Sequence, residues 1–538
     1  MDAATGKAAD FCNQASGFFH WTSDQCLRKS QGGLGGQSPP SFGAKASHLW
    51  PATRHCLMLC HATEWWRLWF PPFRPGAGML SLNSRSTSTD CNRFSRRACL
   101  QAGLLGLGGL RLADWLAVKA QAAEAGISLP GKSIVFLFCS GGPSHIETFD
   151  PKPNAAAEVR SQTGSLTTNV PGIELGGTFP GLAQRADRLA VVRSFAHKTG
   201  DHVKAIEQVF QAGQRTGSSL GAVVSRLRGS THPVTGMPTH VHLAADEVDP
   251  QYSNEKQRML SADGPGTLGP AYAPFRPEGK GELNGSLELR IPLERLDDRR
   301  SLRLSFDRLR RDTDARGIIA GLDKFEQQAF ELILGNGRQA FELSNEDPAL
   351  IARYDTSHFS TGHKKFRPST LGRQLLLARR LCEAGCAFIT IQNPGWDMHA
   401  DGNNPGIVKG MEMLGRPVDH AVSAFLDDLA ARGMSDDVLL IITGDFGRTP
   451  KVNKQGGRDH WPGLSTLAFA GGGLKMGQVI GRSAPKADVP TSTAITLDQL
   501  MATVVHALFD VSRLRLQPGV PREIARTLEQ SEPIRELY

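Results

Sequence analysis

Val438-Leu439-Leu440-Ile441-Ile442-Thr443, an unbroken apolar run, leads directly into Gly444-Asp445-Phe446-Gly447. Such a run, without polar alternation, reads as a strand covered on both faces, as in a parallel sheet. A carboxylate at the end of a buried strand requires a cation, either a metal or a basic side chain. Arg448, three residues on, is the ordinary candidate. The pattern recurs twice: Trp396-Asp397-Met398-His399 follows the run Ala387–Gln392, and Arg458-Asp459-His460-Trp461 precedes Leu464–Ala470. Ligand sites in open α/β sheets collect at the carboxyl ends of strands. Asp and His suit Zn, Mn or Mg. The three motifs together predict a metal-hydrolase centre.

Outward from these motifs the chain alternates strand-like and helix-like segments. Ser133–Cys139, Arg188–Ser194, Thr239–Leu243, Ala387–Gln392, Asp437–Thr443 and Leu464–Ala470 read as strands. Val203–Ala212, Leu371–Ala384, Val418–Arg432 and Leu497–Phe509 carry helical periodicity. The alternation predicts an α/β fold with a mainly parallel central sheet and helices on both faces. Residues 244–290, rich in Pro, Gly and Asn, read as a surface excursion. Residues 291–345 read as charged helix, with Arg299–Arg311 as a solvated face; the insertion spans about 244–345.

The 538 residues carry a formal charge of +8, which raises the question of nucleic acid. Residues 1–78 hold seven Lys/Arg against four Asp/Glu and residues 79–125 six against three, leaving +2 from Gly126 onward. The basic character therefore belongs to the leader, and no basic stripe interleaved with aromatics marks a nucleic-acid surface. Four of the nine cysteines and five of the eight tryptophans also lie before residue 79. Cys382 and Cys386 read as two small buried residues at a helix end, with a disulfide as the alternative that geometry decides.

Ser95-Arg96-Arg97-Ala98-Cys99-Leu100, followed by Ala102–Leu110, has the layout of a twin-arginine signal. Ala120-Gln121-Ala122 is a suitable cleavage site. The apolar run is too short to span a bilayer. Export through the twin-arginine machinery to the periplasm or beyond is the expectation. A signal belongs near the start of a chain, and Met79 would place the Arg pair there. Residues 1–78 then read as a mis-assigned start or a poorly ordered extension, 79–125 as signal region and 126–538 as the working domain.

Two loops after early strands add candidates. Ser140-Gly141-Gly142-Pro143-Ser144-His145 runs on to Glu147 and Asp150, where carboxylates could ligate a metal or Asp150-Pro151 could simply start a turn. Ser194-Phe195-Ala196-His197-Lys198-Thr199-Gly200-Asp201-His202 opens a helix. Its N-terminus favours an anion, and a hydroxyl there could serve as nucleophile. Asp201 is equally a good N-cap.

The order of these elements resembles the alkaline phosphatase/sulfatase superfamily. More closely it resembles a twin-arginine-exported branch, domain-of-unknown-function family 1501. The likeness rests on Gly141-Gly142-Pro143-Ser144-His145, Phe149-Asp150-Pro151-Lys152-Pro153, Trp396-Asp397-Met398-His399, Gly444-Asp445-Phe446-Gly447-Arg448-Thr449-Pro450 and Gly457-Arg458-Asp459-His460-Trp461-Pro462. The resemblance implies an alkaline phosphatase-like fold and a hydrolase of sulfate or phosphate esters, small or polysaccharide-borne. It implies one or two divalent ions (Zn, Mn, Mg or Ca), with Glu147, Asp150, Asp397, His399, Asp445, Asp459 and His460 as candidate ligands. Thr199, with Ser194 behind it, becomes the candidate nucleophile and His202 a catalytic histidine beside it; His145 and Arg448 are candidate substrate contacts. Two departures stand out. Phe446 occupies a position where the superfamily's turn usually carries His, and no Cys-x-Pro-x-Arg occurs, which argues against formylglycine chemistry. The alternative is a non-catalytic relative that binds a sulfated or phosphorylated polysaccharide.

A start at Met79 predicts that peptide mapping of the protein from its native host finds nothing from residues 1–78; one such peptide refutes that start.

Overall fold

The computed structural model describes residues 131–213, 217–244, 253–277, 332, 336–516 and 520–538. They fall within one compact unit, Asp90–Tyr538. Residues 1–78, the segment 79–125 read as a twin-arginine signal and the Arg299–Arg311 segment lie outside the described residues.

The apolar run Ser133–Cys139 forms β1, buried along its whole length. Leu189–Val192 is β2, His240–Leu243 β3, Phe388–Asn393 β4, Val438–Gly444 β5, Leu467–Gly471 β6 and Gln478–Ile480 β7. They make one seven-stranded sheet in the order β7-β2-β6-β5-β1-β4-β3. β1 runs parallel to β4 and β5, β3 to β4, and β7 to β2. Only β6 is reversed, antiparallel to both β2 and β5. The sheet is thus mainly parallel; β1 has the bounds read from the sequence, and the boundaries of the other strands so read differ by at most three residues.

Alternation along β1 divides the core into two layers, because successive side chains of a strand point to opposite faces. Val135, Leu137 and Cys139 pack on one face with Leu375 and Leu381 of α3 (Leu371–Glu383) and Val422 and Phe425 of α4 (Arg416–Ala431). Ile134, Phe136 and Phe138 pack on the other with Ile206 and Phe210 of α1 (His202–Gln211), Val223 of α2 (Leu220–Arg228) and Val504 of α5 (Leu497–Leu508). Both faces are covered. Among the described residues, no helix is long and apolar enough to cross a membrane. Cys139, Cys382 and Cys386 are buried free thiols.

Register aligns the strand ends. Cys139, the last residue of β1, pairs with Asn393 of β4 and with Gly444 of β5. The chain therefore leaves three adjacent central strands at one level, delivering Ser140, Trp396-Asp397 and Asp445 to the same edge.

One face is fastened by a buried charge network. The Arg379 guanidinium, fully buried on α3, lies 2.9 Å from Asp428 on α4, 2.8 Å from Glu346 and 2.7 Å from Glu383. Tyr354 donates a further hydrogen bond to Asp428 at 3.0 Å. Removing one member of such a group strands the others without compensation. Arg379→Ala is predicted to destabilise the fold by about 3–5 kcal/mol, read as a lowered denaturant midpoint at unchanged slope; a shift under about 1 kcal/mol would show that the network does not hold these helices.

Candidate metal centre

Asp397 lies beyond the end of β4, and its Oδ1 is the focus of the site. His399 Nε2 lies 2.9 Å from it, His460 Nε2 3.4 Å and His202 Nε2 3.7 Å. Arg448 donates to the same oxygen at 2.5 Å. Single ligand atoms of His202, Asp397 and His460 all lie within 4.8 Å of one another. The three histidines come from different parts of the chain: His202 opens α1, His399 follows β4, and His460 pairs with Arg448 in a short antiparallel ribbon.

Each imidazole is held from behind. His202 Nδ1 donates to Asp445 Oδ2 at 2.5 Å, His399 Nδ1 to Asp459 Oδ1 at 3.0 Å, and His460 Nδ1 to the Gly200 carbonyl at 3.0 Å. An acceptor on Nδ1 fixes the neutral ring in the tautomer whose Nε2 lone pair faces away from that acceptor. Here all three Nε2 atoms then converge on Asp397. Metal-ligating histidines are oriented in this way, by carboxylates and carbonyls behind the ring.

The donors fit a divalent cation. The Nε2 atoms of His399 and His460 face each other at 2.9 Å, a separation two lone pairs tolerate only with a proton or a cation between them. His202 Nε2 is buried with no hydrogen-bond partner among the described residues. Burial alone would lower the His202 pKa, but interaction with Asp397 and Asp445 raises it to about 10. Burial would likewise raise the Asp397 carboxyl; its interactions with His202, His399 and His460, and then the Arg448 charge, outweigh this and hold it well below the usual range. Three imidazole nitrogens and one carboxylate oxygen are a ligand set for Zn or Mn.

Asp445 acts behind the ligands. It is fully buried and accepts from Gly141 N at 3.0 Å and Gly142 N at 2.7 Å. Both glycines have positive φ (+104° and +82°), the region only glycine enters freely. A Cβ at Gly141 would stand 2.6 Å from Asp397 N, so the backbone must be bare there for the two loops to meet. Phe446 carries no ligand atom and instead floors the site. Its ring centroid lies 4.7 Å from that of His202 and 4.6 Å from that of His460. Of His202, Asp397, His399 and His460, the side chains of His399 and His460 are the more exposed, at 21% and 30%, and Asp445 and Phe446 behind them are fully buried.

The remaining predicted residues sit elsewhere. Glu147 is fully buried in an ion pair with Arg458 Nη2 at 2.9 Å and also accepts from Ser161 Oγ at 2.7 Å. Its charge is taken up structurally, by a residue more than three hundred positions away. Asp150 is held by Ser483, by Lys152 at 3.2 Å and by Arg193 at 3.4 Å. Thr199 donates its hydroxyl to Gln208 at 2.6 Å, and Ser194 is fully buried against Gly481. Neither hydroxyl is turned to the ligands. His202, read beforehand as a catalytic neighbour of Thr199, lies among the ligand atoms, and Asp201 beside it caps α1 by accepting from Lys204 N. His145 bonds the Ala487 carbonyl at 2.8 Å, and burial pushes its pKa down to about 4. Arg448, besides Asp397, donates to the carbonyls of Gly141, Gly142 and Arg458, so its guanidinium is committed to protein acceptors. Asp459 is exposed and reaches the site only through His399.

The sequence reading passed over Arg458 as a partner for Glu147, although it stands inside the quoted motif. It also missed Asn453, whose amide donates to the His399 carbonyl at 2.9 Å.

A family model described as "Protein of unknown function (DUF1501)" matches residues 131–537. No curated protein matches the sequence. Similar solved structures include a sulfatase from Pseudoalteromonas sp., 11% identical with a TM-score of 0.28, covering 74% of this chain and 72% of that one. A phosphonate monoester hydrolase from Silicibacter pomeroyi is 10% identical with a TM-score of 0.29, covering 70% and 73%. The alkaline phosphatase of the Antarctic bacterium TAB5 is 10% identical with a TM-score of 0.27, covering 70% and 98%. Likeness at this level fixes neither a substrate nor a chemistry.

The support behind the rings predicts an effect without loss of a ligand. Asp445→Asn keeps the shape but removes the anion behind His202. It should weaken Zn or Mn binding about 10–100-fold in chelator competition; an unchanged affinity would remove Asp445 from the centre.

Proposed function

Since the chain belongs to the DUF1501 family, whose description names no activity, we propose a function from its own site: metal-dependent hydrolysis of sulfate or phosphate esters by an exported protein. One observation carries the proposal. Three histidines, each with Nδ1 held by an acceptor, turn their Nε2 atoms onto one carboxylate oxygen at the ends of parallel strands. His202, His460 and Asp397 would hold the ion, with His399 as a further ligand. A divalent ion so held supplies a Lewis acid that polarises an ester oxygen and lowers the pKa of water.

The chain's own groups shape the rest. Asp445, Asp459 and the Gly200 carbonyl keep the imidazoles in position, so little reorganisation accompanies substrate entry. The more exposed side, at His399 and His460, admits the ester, while the fully buried Phe446 excludes water behind the ligands. Thr199 and Ser194 are turned away, so the attacking oxygen is assigned to water. Its bond to phosphorus or sulfur forms as the ester oxygen leaves, and the proton lost by water ends on that leaving oxygen. The likeness of Ser95–Leu110 to a twin-arginine signal supports a site of action in the periplasm or outside the cell.

A second reading is favoured by Arg448. Its 2.5 Å contact already neutralises Asp397, as a non-catalytic site binding a sulfated or phosphorylated glycan would need. Turnover separates the two. Purified protein, stripped with chelator and reloaded with Zn, Mn, Mg or Ca, should cleave 4-nitrophenyl phosphate or sulfate. His460→Ala should reduce the rate by at least about a hundredfold, and Thr199→Ala and Ser194→Ala should leave it at the wild-type value. Correctly folded protein that cleaves neither ester with any of the four metals contradicts the hydrolase reading.

A further inference from the structure

The body of the chain is nearly neutral, yet the rim of the metal centre is not. Three segments meet there. Loop 400–406 continues directly from His399 and closes on itself, Ala400 N donating to the Pro405 carbonyl at 2.9 Å. Segment 451–457 is tied to the same residue by Asn453 and to the first loop by the bond from Ile407 N to the Gly456 carbonyl at 3.0 Å. The third is the tip of a small hairpin pairing Ser360–Thr361 with Arg367–Pro368. Gly362 anchors it, its N–H facing Met413 Sδ at 3.1 Å, and Lys364 bonds the Asn403 side chain at 2.7 Å.

Among the described residues, segments 362–367, 400–409 and 451–459 expose Lys364, Lys365, Arg367, Lys409, Lys451 and Lys454 against two acids, Asp401 and Asp459. Asp401 is itself engaged, accepting from the N–H groups of Asn403 and Asn404 at 2.8 Å. Within this basic rim stands Phe366, 57% exposed on the hairpin tip, with Lys409 Nζ 5.6 Å from its ring centroid. A large aromatic ring held in water by a two-strand hairpin, with Lys409 against it and Lys365 and Arg367 beside it in sequence, is a feature that packing does not require.

The geometry points to an extended substrate surface: the hairpin tip binds an anionic polysaccharide, whose sulfate or phosphate groups meet the lysines and one of whose sugar rings lies on Phe366. The inference rests on the ester-hydrolase reading, because it supplies the polymer from which the centre takes its ester. A sugar ring presents an apolar C–H face that a single aromatic ring can cover. Lysines act as mobile point charges for anions spaced along a chain. Single-stranded nucleic acid uses several successive stacking platforms, and among the described residues the rim exposes one large aromatic ring, Phe366.

The test uses the purified exported protein in affinity electrophoresis and calorimetry, with dextran sulfate, neutral dextran of equal length and poly(dT) as probes. Dextran sulfate should bind, more weakly as salt rises, and neutral dextran should not. Phe366→Ala and Lys365→Gln should each weaken that binding about tenfold, while the turnover of 4-nitrophenyl esters and the melting temperature stay at wild-type values. Equal binding by the variants, equal binding of neutral dextran, or tighter binding of poly(dT) overturns the proposal. Variant-sensitive dextran sulfate binding in a protein that cleaves no ester upholds this surface and refutes the hydrolase reading alone.

Discussion

Everything at the site depends on one carboxylate oxygen. Asp397 Oδ1 receives Arg448 at 2.5 Å and faces the Nε2 atoms of His399, His460 and His202 at 2.9, 3.4 and 3.7 Å. With each Nδ1 proton committed behind its ring, those Nε2 atoms turn lone pairs toward an oxygen that is itself an acceptor. The crowding is imposed from outside: Asp445, Asp459 and the Gly200 carbonyl hold the rings, and the level ends of β4, β1 and β5 bring their loops to one edge. A cation among the Nε2 atoms would relieve it by giving each lone pair a partner.

The frame around that oxygen is built from committed charges. Glu147 and Arg458 bury their ion pair completely and join the loop after β1 to the segment carrying His460. Arg448 spends its donors on backbone carbonyls of Gly141, Gly142 and Arg458 as well as on Asp397. Breaking a buried pair leaves its partner uncompensated, so these arginines define loop positions more than they add net stability. Their immobility is what a centre built on loops needs, since loops are otherwise the variable part of an α/β fold.

Much of the fold was legible because buried parallel strands leave unbroken apolar runs: Ser133–Cys139 is a strand as read, and Val438–Gly444 within a residue of its reading. Direction was not legible. Leu467–Gly471 looks like its neighbours in composition but runs against them, and an apolar run does not encode its sense. At the site, Asp397, His399 and His460 were legible through their position at strand ends. Glu147 and Asp150 shared that position and residue type, but their partners, Arg458 and Ser483, lie hundreds of residues away and local reading has no access to them. His202 was placed beside a presumed nucleophile because the helix N-terminus suggested one. The side chain of Thr199 turned instead to Gln208, a choice only the folded helix determines.

Elemental analysis tests the central claim most directly. Protein purified without added chelator, compared with Asp397→Ala matched for folding by melting temperature, should hold one or two equivalents of a divalent metal that the variant lacks. A correctly folded wild type that holds no metal, even after reconstitution with Zn, Mn, Mg and Ca, would contradict the account.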